Sequence, residues 1–187
     1  MEKARCEWCS NDPLYIKYHD DEWGVPCFDE AKLFEMLLLE GAQAGLSWIT
    51  ILKKRDRYRE VFDGFDPHKI ARYSESKVQA LMRDPGIVRN RLKINAFVEN
   101  SQTYLNLVKS GFTLKDYLWS FVDHQPQVNH RKALMDLPSK TDLSDTISKD
   151  LKKKGFKFVG SVTIYALMQA IGMVNDHTQQ CWKYPTL

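Results

Sequence analysis

The chain lacks any apolar run long enough to cross a bilayer, so nothing in it reads as a membrane-spanning helix. Its first ten residues, MEKARCEWCS, carry no apolar stretch of a secretory signal, and a cytoplasmic location is expected. Cysteine is scarce. Four in 187 residues (Cys6, Cys9, Cys27 and Cys181) are too few for a disulfide scaffold of this length. In a reducing compartment they read as buried thiols or metal ligands. A large excess of one charge is also missing. With 27 basic and 24 acidic residues the net charge is +3, a weak hint of a nucleic-acid partner that still leaves room for one basic face. Internal repeats and low-complexity linkers are absent. Strand-like alternation is nearly so, since FKFVGSVTIY alone is ambiguous through its β-branched content.

What remains is a chain long enough to bury a core, 43% hydrophobic and 27% charged, dominated by helical signals. Asp29 can cap a helix over residues 30–40, where LFEMLLLE is apolar on most sides and therefore expected to be buried. Gly41 and Gly45 should interrupt it before a second segment from Ser47 to Phe62. Asp66-Pro67 and Ser74 start short helices, and Asp84-Pro85-Gly86 marks a turn. A longer helix is expected over Arg89 to Leu107. Thr113 and Asp116 have the form of a capping box before YLWSFV. The stretch Pro126–Leu143 is polar and irregular. Ser144 should open a helix that ends at Gly155, and a last one should run from Ser161 to about Met173. The fold class is all-α.

Soft metal ligands gather at the two ends. Cys6, Cys9 and His19 lie near the start, and His177 and Cys181 are spaced H-x3-C near the end, a spacing that faces both the same way on a helix. Two ligands from each terminus would make a closed structural zinc site and tie the ends together. Five candidates compete for four places, and spacing does not choose between Cys9 and His19. Scattered thiols and surface histidines are the plain alternative.

A second cluster is aromatic. PLYIKYHDDEWG contains Tyr15, Tyr18 and Trp23; Trp8 lies upstream and GLSW presents Trp48. Each alone reads as core filling, but flat faces beside a carboxylate also suit a planar, electron-poor base. The carboxylate is Glu40, placed after LLL in a segment expected to be buried, where an ionised acid needs a partner. Further on, KKKGFKFVG reads as lysines capping a helix end, or as a turn between two helices at Gly155 and Gly160. In the second reading the amides near Ser161 would face a phosphate. No Lys-Ser or Lys-Thr follows, which disfavours a nucleotide-binding P-loop.

Together these segments resemble the DNA-3-methyladenine glycosylase I family. The matching stretches are DPLYIKYHDDEWGVP, KLFEMLLLEGAQAGLSWITILKKR, WSFVDHQPQV, LKKKGFKFVG and MQAIGMVNDH, and the resemblance covers nearly the whole chain from Cys6 to Cys181. It implies a helix-hairpin-helix glycosylase fold with Gly155, Lys157, Gly160 and Ser161 on the DNA. It implies one structural zinc (Zn2+) held by Cys6, His19, His177 and Cys181, leaving Cys9 and Cys27 as non-ligands. It places Glu40 on the extruded base, with Tyr18 and Trp48 beside it and Trp8, Tyr15 and Trp23 lining or supporting the pocket. The implied organisation is a single glycosylase unit of two helical lobes. The termini with residues 113–187 form a zinc-bearing lobe, residues 29–110 the other, and the pocket lies between them.

The implied activity is monofunctional excision of 3-methyladenine from double-stranded DNA by a monomer, leaving an abasic site. Nothing resembles the lysine that follows the hairpin in bifunctional lyases. Leu46, in the GLSW turn, is a candidate for filling the vacated stack. Asp176, which adjoins His177, reads as structural rather than as the aspartate that many glycosylases of this superfamily use. Two rivals belong to other classes: a helical zinc module that recognises distorted DNA without cutting it, and a hydrolase with a catalytic zinc. A base-release assay separates the first. The second needs an open coordination position, which four protein ligands do not leave.

Overall fold

The structure, a computed structural model, describes residues 3–185. It is predominantly helical. Among the described residues the α-helices are α1 (Pro13–Asp21), α2 (Glu30–Gln43), α3 (Trp48–Leu52), α4 (Arg55–Val61), α5 (Pro67–Ile70), α6 (Glu75–Leu81), α7 (Arg91–Lys109), α8 (Leu114–Trp119), α9 (Asp142–Lys154) and α10 (Ser161–Ala170). Two short strands, β1 (Gln127–Val128) and β2 (Val174–Asn175), pair in parallel with Gln127 opposite Val174. They depart from the expected all-helical chain. Two residues are too few to carry an alternating pattern, so the sequence could not announce them.

Helix starts follow local chemistry. The side chains of Asp12, Asp29, Asp66, Ser74, Asn90, Thr113 and Thr141 each accept a hydrogen bond from an amide of the first turn they precede. Thr113 takes the Asp116 amide, and the Glu30 carboxylate reaches across to accept from the amides of Leu114 and Lys115 at 2.7 and 2.9 Å. Thus the start of α2 is bonded to the start of α8. Ser144 is not the first residue of α9. Thr141 is its cap, and Ser144 closes the reciprocal box from the third position. Gly155 ends the helix with φ 104°, as expected.

Three boundaries differ from expectation. α2 does not stop at Glu40 but runs through Gly41 to Gln43. The segment from Ser47 to Phe62 breaks at Lys53–Lys54 into α3 and α4. α10 ends at Ala170, short of Met173. The last has a steric cause. Gly172 has φ +70°, and a Cβ there would lie 2.3 Å from the backbone of Val25. The chain can cross itself at this point only because the residue is glycine.

α2 is the axis of the core. Leu33, Phe34, Met36, Leu37, Leu38 and Leu39 are all buried, and the helix packs on α10, α8, α7 and α3. A helix enclosed on all sides needs the all-round apolar pattern that its sequence shows. Gly41 serves this packing, since a Cβ there would meet the Phe158 Cβ at 3.2 Å. The turn between α9 and α10 therefore rests directly on α2, one residue past Glu40. No helix among the described residues is long and apolar enough to cross a membrane.

Candidate functional site

Two buried polar centres lie side by side, one at the joined chain ends and one at the last turn of α2. In the first, Cys6, His19, His177 and Cys181 converge from distant parts of the sequence. Their ligand atoms all lie within 4.8 Å of one another, and all four residues are buried. Cys6 Sγ lies 3.5 Å from His177 Nδ1, and Cys181 Sγ lies 3.4 Å from both His177 Nδ1 and His19 Nε2. A tetrahedral ion with metal–sulfur bonds of about 2.3 Å and metal–nitrogen bonds of about 2.0–2.1 Å requires S···N edges of about 3.5 Å. The donor set therefore fits a four-coordinate ion in both identity and spacing.

The far ring nitrogens are oriented from outside. His19 Nδ1 meets Asp20 Oδ1 at 2.8 Å, and His177 Nε2 meets the Trp23 carbonyl at 3.1 Å. Asp20 is itself held by Arg5 at 2.7 Å. A hydrogen bond from the Cys6 thiol, opposed by burial and helped by both imidazoles, pulls the Cys181 thiol below its ordinary value. The same bond, with burial, pushes Cys6 up. Two thiols beside two imidazoles form a donor set that a cation can deprotonate on binding. Cys9 and Cys27 are partly exposed and stand outside the group. Geometry thus resolves the choice between Cys9 and His19 in favour of His19.

The second centre is a cavity of about 250 Å³. Trp8, Tyr15, Tyr18, Trp23 and Trp48 line it together with Glu40 and Gln43 of α2 and with Leu134, Leu137, Ala166 and Gln169. The rings touch in series. Tyr18 and Trp48 lie 5.3 Å apart between centroids, Trp8 and Tyr15 5.1 Å, and Trp8 and Trp23 4.8 Å. Trp23 also packs edge-on against His177 at 4.7 Å, and Trp8 lies 5.2 Å from His19. The aromatic wall of the cavity is therefore the back of the Cys/His cluster.

Glu40 is 3% exposed, and its Oε2 has no hydrogen-bond partner. Burial alone raises its carboxyl to about 8. The indole N–H groups of Trp8 and Trp48 are likewise buried without acceptors. Leaving such groups unpaired costs about 1–3 kcal/mol each. Three of them on one cavity mark a place that a polar, flat ligand would complete. Burial, and then the charge of Glu40, push the Tyr18 phenol well up, so Tyr18 stays a proton donor.

The remaining expected residues lie outside the cavity. Leu46 is 40% exposed on the turn between α2 and α3, where its amide donates to the Gln43 carbonyl at 2.6 Å. Gly155, Lys157, Gly160 and Ser161 form the α9–α10 turn. Lys157 is exposed, but its amide donates to Asn100 Oδ1 at 2.7 Å and its carbonyl accepts from Asn100 Nδ2 at 3.1 Å. Ser161 Oγ bonds Ser144 Oγ at 2.8 Å. Gly160 precedes α10 without a side-chain cap, which leaves the first amides of that helix open to a ligand. Asp176 is fully buried with its oxygens bonded inside the protein.

Sequence reasoning missed Gln43, Leu134, Leu137, Ala166 and Gln169 in the cavity wall, and Asn100 under the turn. None carried a motif. The one faint signal was an apolar pair, Leu134 and Leu137, inside a polar stretch.

Comparison with known proteins gives the family of the chain. The family described as methyladenine glycosylase matches residues 8–184. The chain is 55% identical to DNA-3-methyladenine glycosylase 1 of Escherichia coli, over 97% of each chain. Among solved structures, 3-methyladenine DNA glycosylase I superposes with a TM-score of 0.96 at 52% identity, over 97% of this chain and 100% of that one. The Staphylococcus aureus 3-methyladenine DNA glycosylase I, solved to explain 3-methyladenine recognition, superposes with a TM-score of 0.93 at 38% identity, over 98% and 97%. By its sequence over nearly its full length, this chain belongs to the methyladenine glycosylase family.

Proposed function

We propose that the chain is a monofunctional DNA glycosylase that releases 3-methyladenine from alkylated DNA in base excision repair, with Glu40 as the residue that engages the base. Relatives named for this activity and a relative solved for 3-methyladenine recognition support the reaction. The observation that carries the assignment to this cavity is the buried, unpartnered Glu40 carboxylate among aromatic rings.

Methylation at N3 gives the adenine positive character and weakens its bond to deoxyribose. The leaving group is thus already activated, and no strong general acid is needed. The nucleotide must leave the stack to expose that bond, and a poorly pairing base costs less to extrude. In the cavity Trp48 stacks on the ring, Tyr18 donates a polar contact, and Glu40 accepts from the adenine edge. Trp8, Tyr15 and Trp23 complete the wall. A cation bound beside Glu40 draws the carboxyl back toward ionisation, because an opposite charge favours the charged form. Water adds to the sugar carbon as the C–N bond breaks, and the methylated base and an abasic site are the products.

The DNA would be duplex, read by shape at the α9–α10 turn in the manner of a helix-hairpin-helix. The open amides around Gly160 and Ser161, with Gly155 permitting the turn and Lys157 exposed on it, face a phosphate. Leu46 fills the gap left by the extruded base. The Cys6, His19, His177 and Cys181 set would hold zinc. Four protein ligands leave no open position, so the ion would supply structure, not chemistry. We read the enzyme as a monomer whose two helical lobes meet at the cavity. Incubation with methylated duplex DNA and identification of the released bases tests the whole reading. Release of 3-methyladenine without strand cleavage is expected, and it should fail in Glu40→Gln.

A further inference from the structure

We infer that Gln169 is a second base-reading residue of this cavity, its amide oxygen held toward the bound purine by Asp176, selecting a 6-amino over a 6-oxo ring. The inference rests on the proposed reading of the cavity as a base pocket.

Asp176 is fully buried and accepts four hydrogen bonds. Asn129 Nδ2 at 2.8 Å and Arg131 Nε at 3.1 Å reach Oδ1; the Tyr165 hydroxyl at 2.5 Å and Gln169 Nε2 at 2.8 Å reach Oδ2. A carboxylate offers about four acceptor sites, and all are taken here. Asp176 therefore has no capacity left to act on substrate. Its bonds instead fix the surroundings.

A carboxylate paired with Arg131 only accepts, so Gln169 must turn its NH₂ group toward it. The amide oxygen then points the other way. Gln169 borders the cavity, and that oxygen has no hydrogen-bond partner among the described residues. The backbone of Gln169 is fixed as well, its carbonyl accepting from the amides of Gly24 and Gly172. The residue thus presents an acceptor that is immobile, oriented and unused. Asn129 and Arg131 extend the same control along the chain, because they tether the segment that carries Leu134 and Leu137 into the cavity wall.

Glu40 and Gln169 give the cavity two acceptors. An exocyclic amino group has two N–H donors to meet them. A 6-oxo purine such as 3-methylguanine keeps an N1–H that can still meet Glu40, but it sets its own acceptor against the Gln169 oxygen and leaves that oxygen unpaired, which is the strong form of rejection for a polar site.

The test titrates free 3-methyladenine and 3-methylguanine against wild type, Gln169→Leu, Gln169→Met and Glu40→Gln. Tryptophan fluorescence reports binding, while metal content and melting temperature report folding. Gln169→Leu should bind 3-methyladenine about 3–10-fold more weakly, and the preference over 3-methylguanine should shrink by a similar factor at unchanged metal content. Gln169→Met, unbranched like glutamine, carries the same expectation if the leucine variant misfolds. Unchanged affinity, or an equal loss for both bases, overturns the inference. If Glu40→Gln is impaired while the Gln169 variants bind normally, this inference falls alone. If Glu40→Gln also binds normally, the base-pocket reading falls with it.

Discussion

The Cys/His cluster and the Glu40 cavity share a wall, and both hold buried polar side chains, yet these are satisfied in opposite ways. In the cluster every ligand atom faces another ligand atom, and the outward ring nitrogens have partners in Asp20 and the Trp23 carbonyl. In the cavity one carboxylate oxygen and two indole N–H groups face nothing. The first region has the form of a joint, closed and supported from outside. The second has the form of a receptor, whose unpaired atoms cost stability until a ligand arrives. Trp8 and Trp23 belong to both, so the joint also holds the receptor's rings in place.

This contrast is open to attack by experiment. The largest effect should come from stripping metal, or from His177→Ala. If the cluster is the joint, the loss should exceed about 5 kcal/mol, comparable to the whole stability of a small domain. Thermal melting with and without chelator measures it, and chemistry in any surviving folded fraction should be far less affected. Glu40→Gln should do the reverse. Base release should drop by about 100-fold or more, while the fold becomes more stable at pH 8.

The sign follows from the raised carboxyl. The folded protein holds the Glu40 proton up to about pH 8, whereas the unfolded chain releases it near the ordinary value of 4.5. Stability from this group is complete below pH 4.5 and is lost as pH rises through 8. Glu40→Gln should remove that decline, a difference on the order of a few kcal/mol, visible in denaturant midpoints across pH 5–9. In kinetics the same group makes kcat/KM climb with pH and level off above about 8, because the free enzyme must lose the proton to meet a cationic base. A profile flat from pH 5 to 8 would detach Glu40 from the chemistry. The smallest effect should be that of Lys157→Ala. It lies in neither region, so it should weaken DNA binding by about 2–5-fold with a shallower salt slope, and leave metal content and free-base affinity unchanged.

The cluster was more legible in the sequence than the cavity, and the reason is chemical. Cysteine and histidine at the two ends are rare residues with few alternative uses, so their placement is informative even across 170 positions. The aromatic side and Glu40 were legible because burying an acid is costly enough to demand an explanation. The rest of the lining was not, because glutamine, alanine and leucine are common and their role depends on the Asp176 network, which joins residues 129, 131, 165 and 169 only after folding. The helix starts at Asp29, Asp66, Ser74 and Thr113 were read from single capping residues, whereas those at Asp12, Asn90 and Thr141 were not. Helix ends were read less well: α2 passes through Gly41 because tertiary burial outweighs a glycine's low propensity, and α10 stops where the chain crosses Val25.

The central claim is that Glu40 sits buried without a protein partner in a receptor that awaits a cation. Its carboxyl titration, followed by NMR on protein labelled at glutamate side-chain carbons, tests this most directly. The account predicts a midpoint near 8 in the free protein and a downward move when DNA carrying the methylated base is bound. A midpoint near 4.5 in the free protein, unmoved by that DNA, would contradict it.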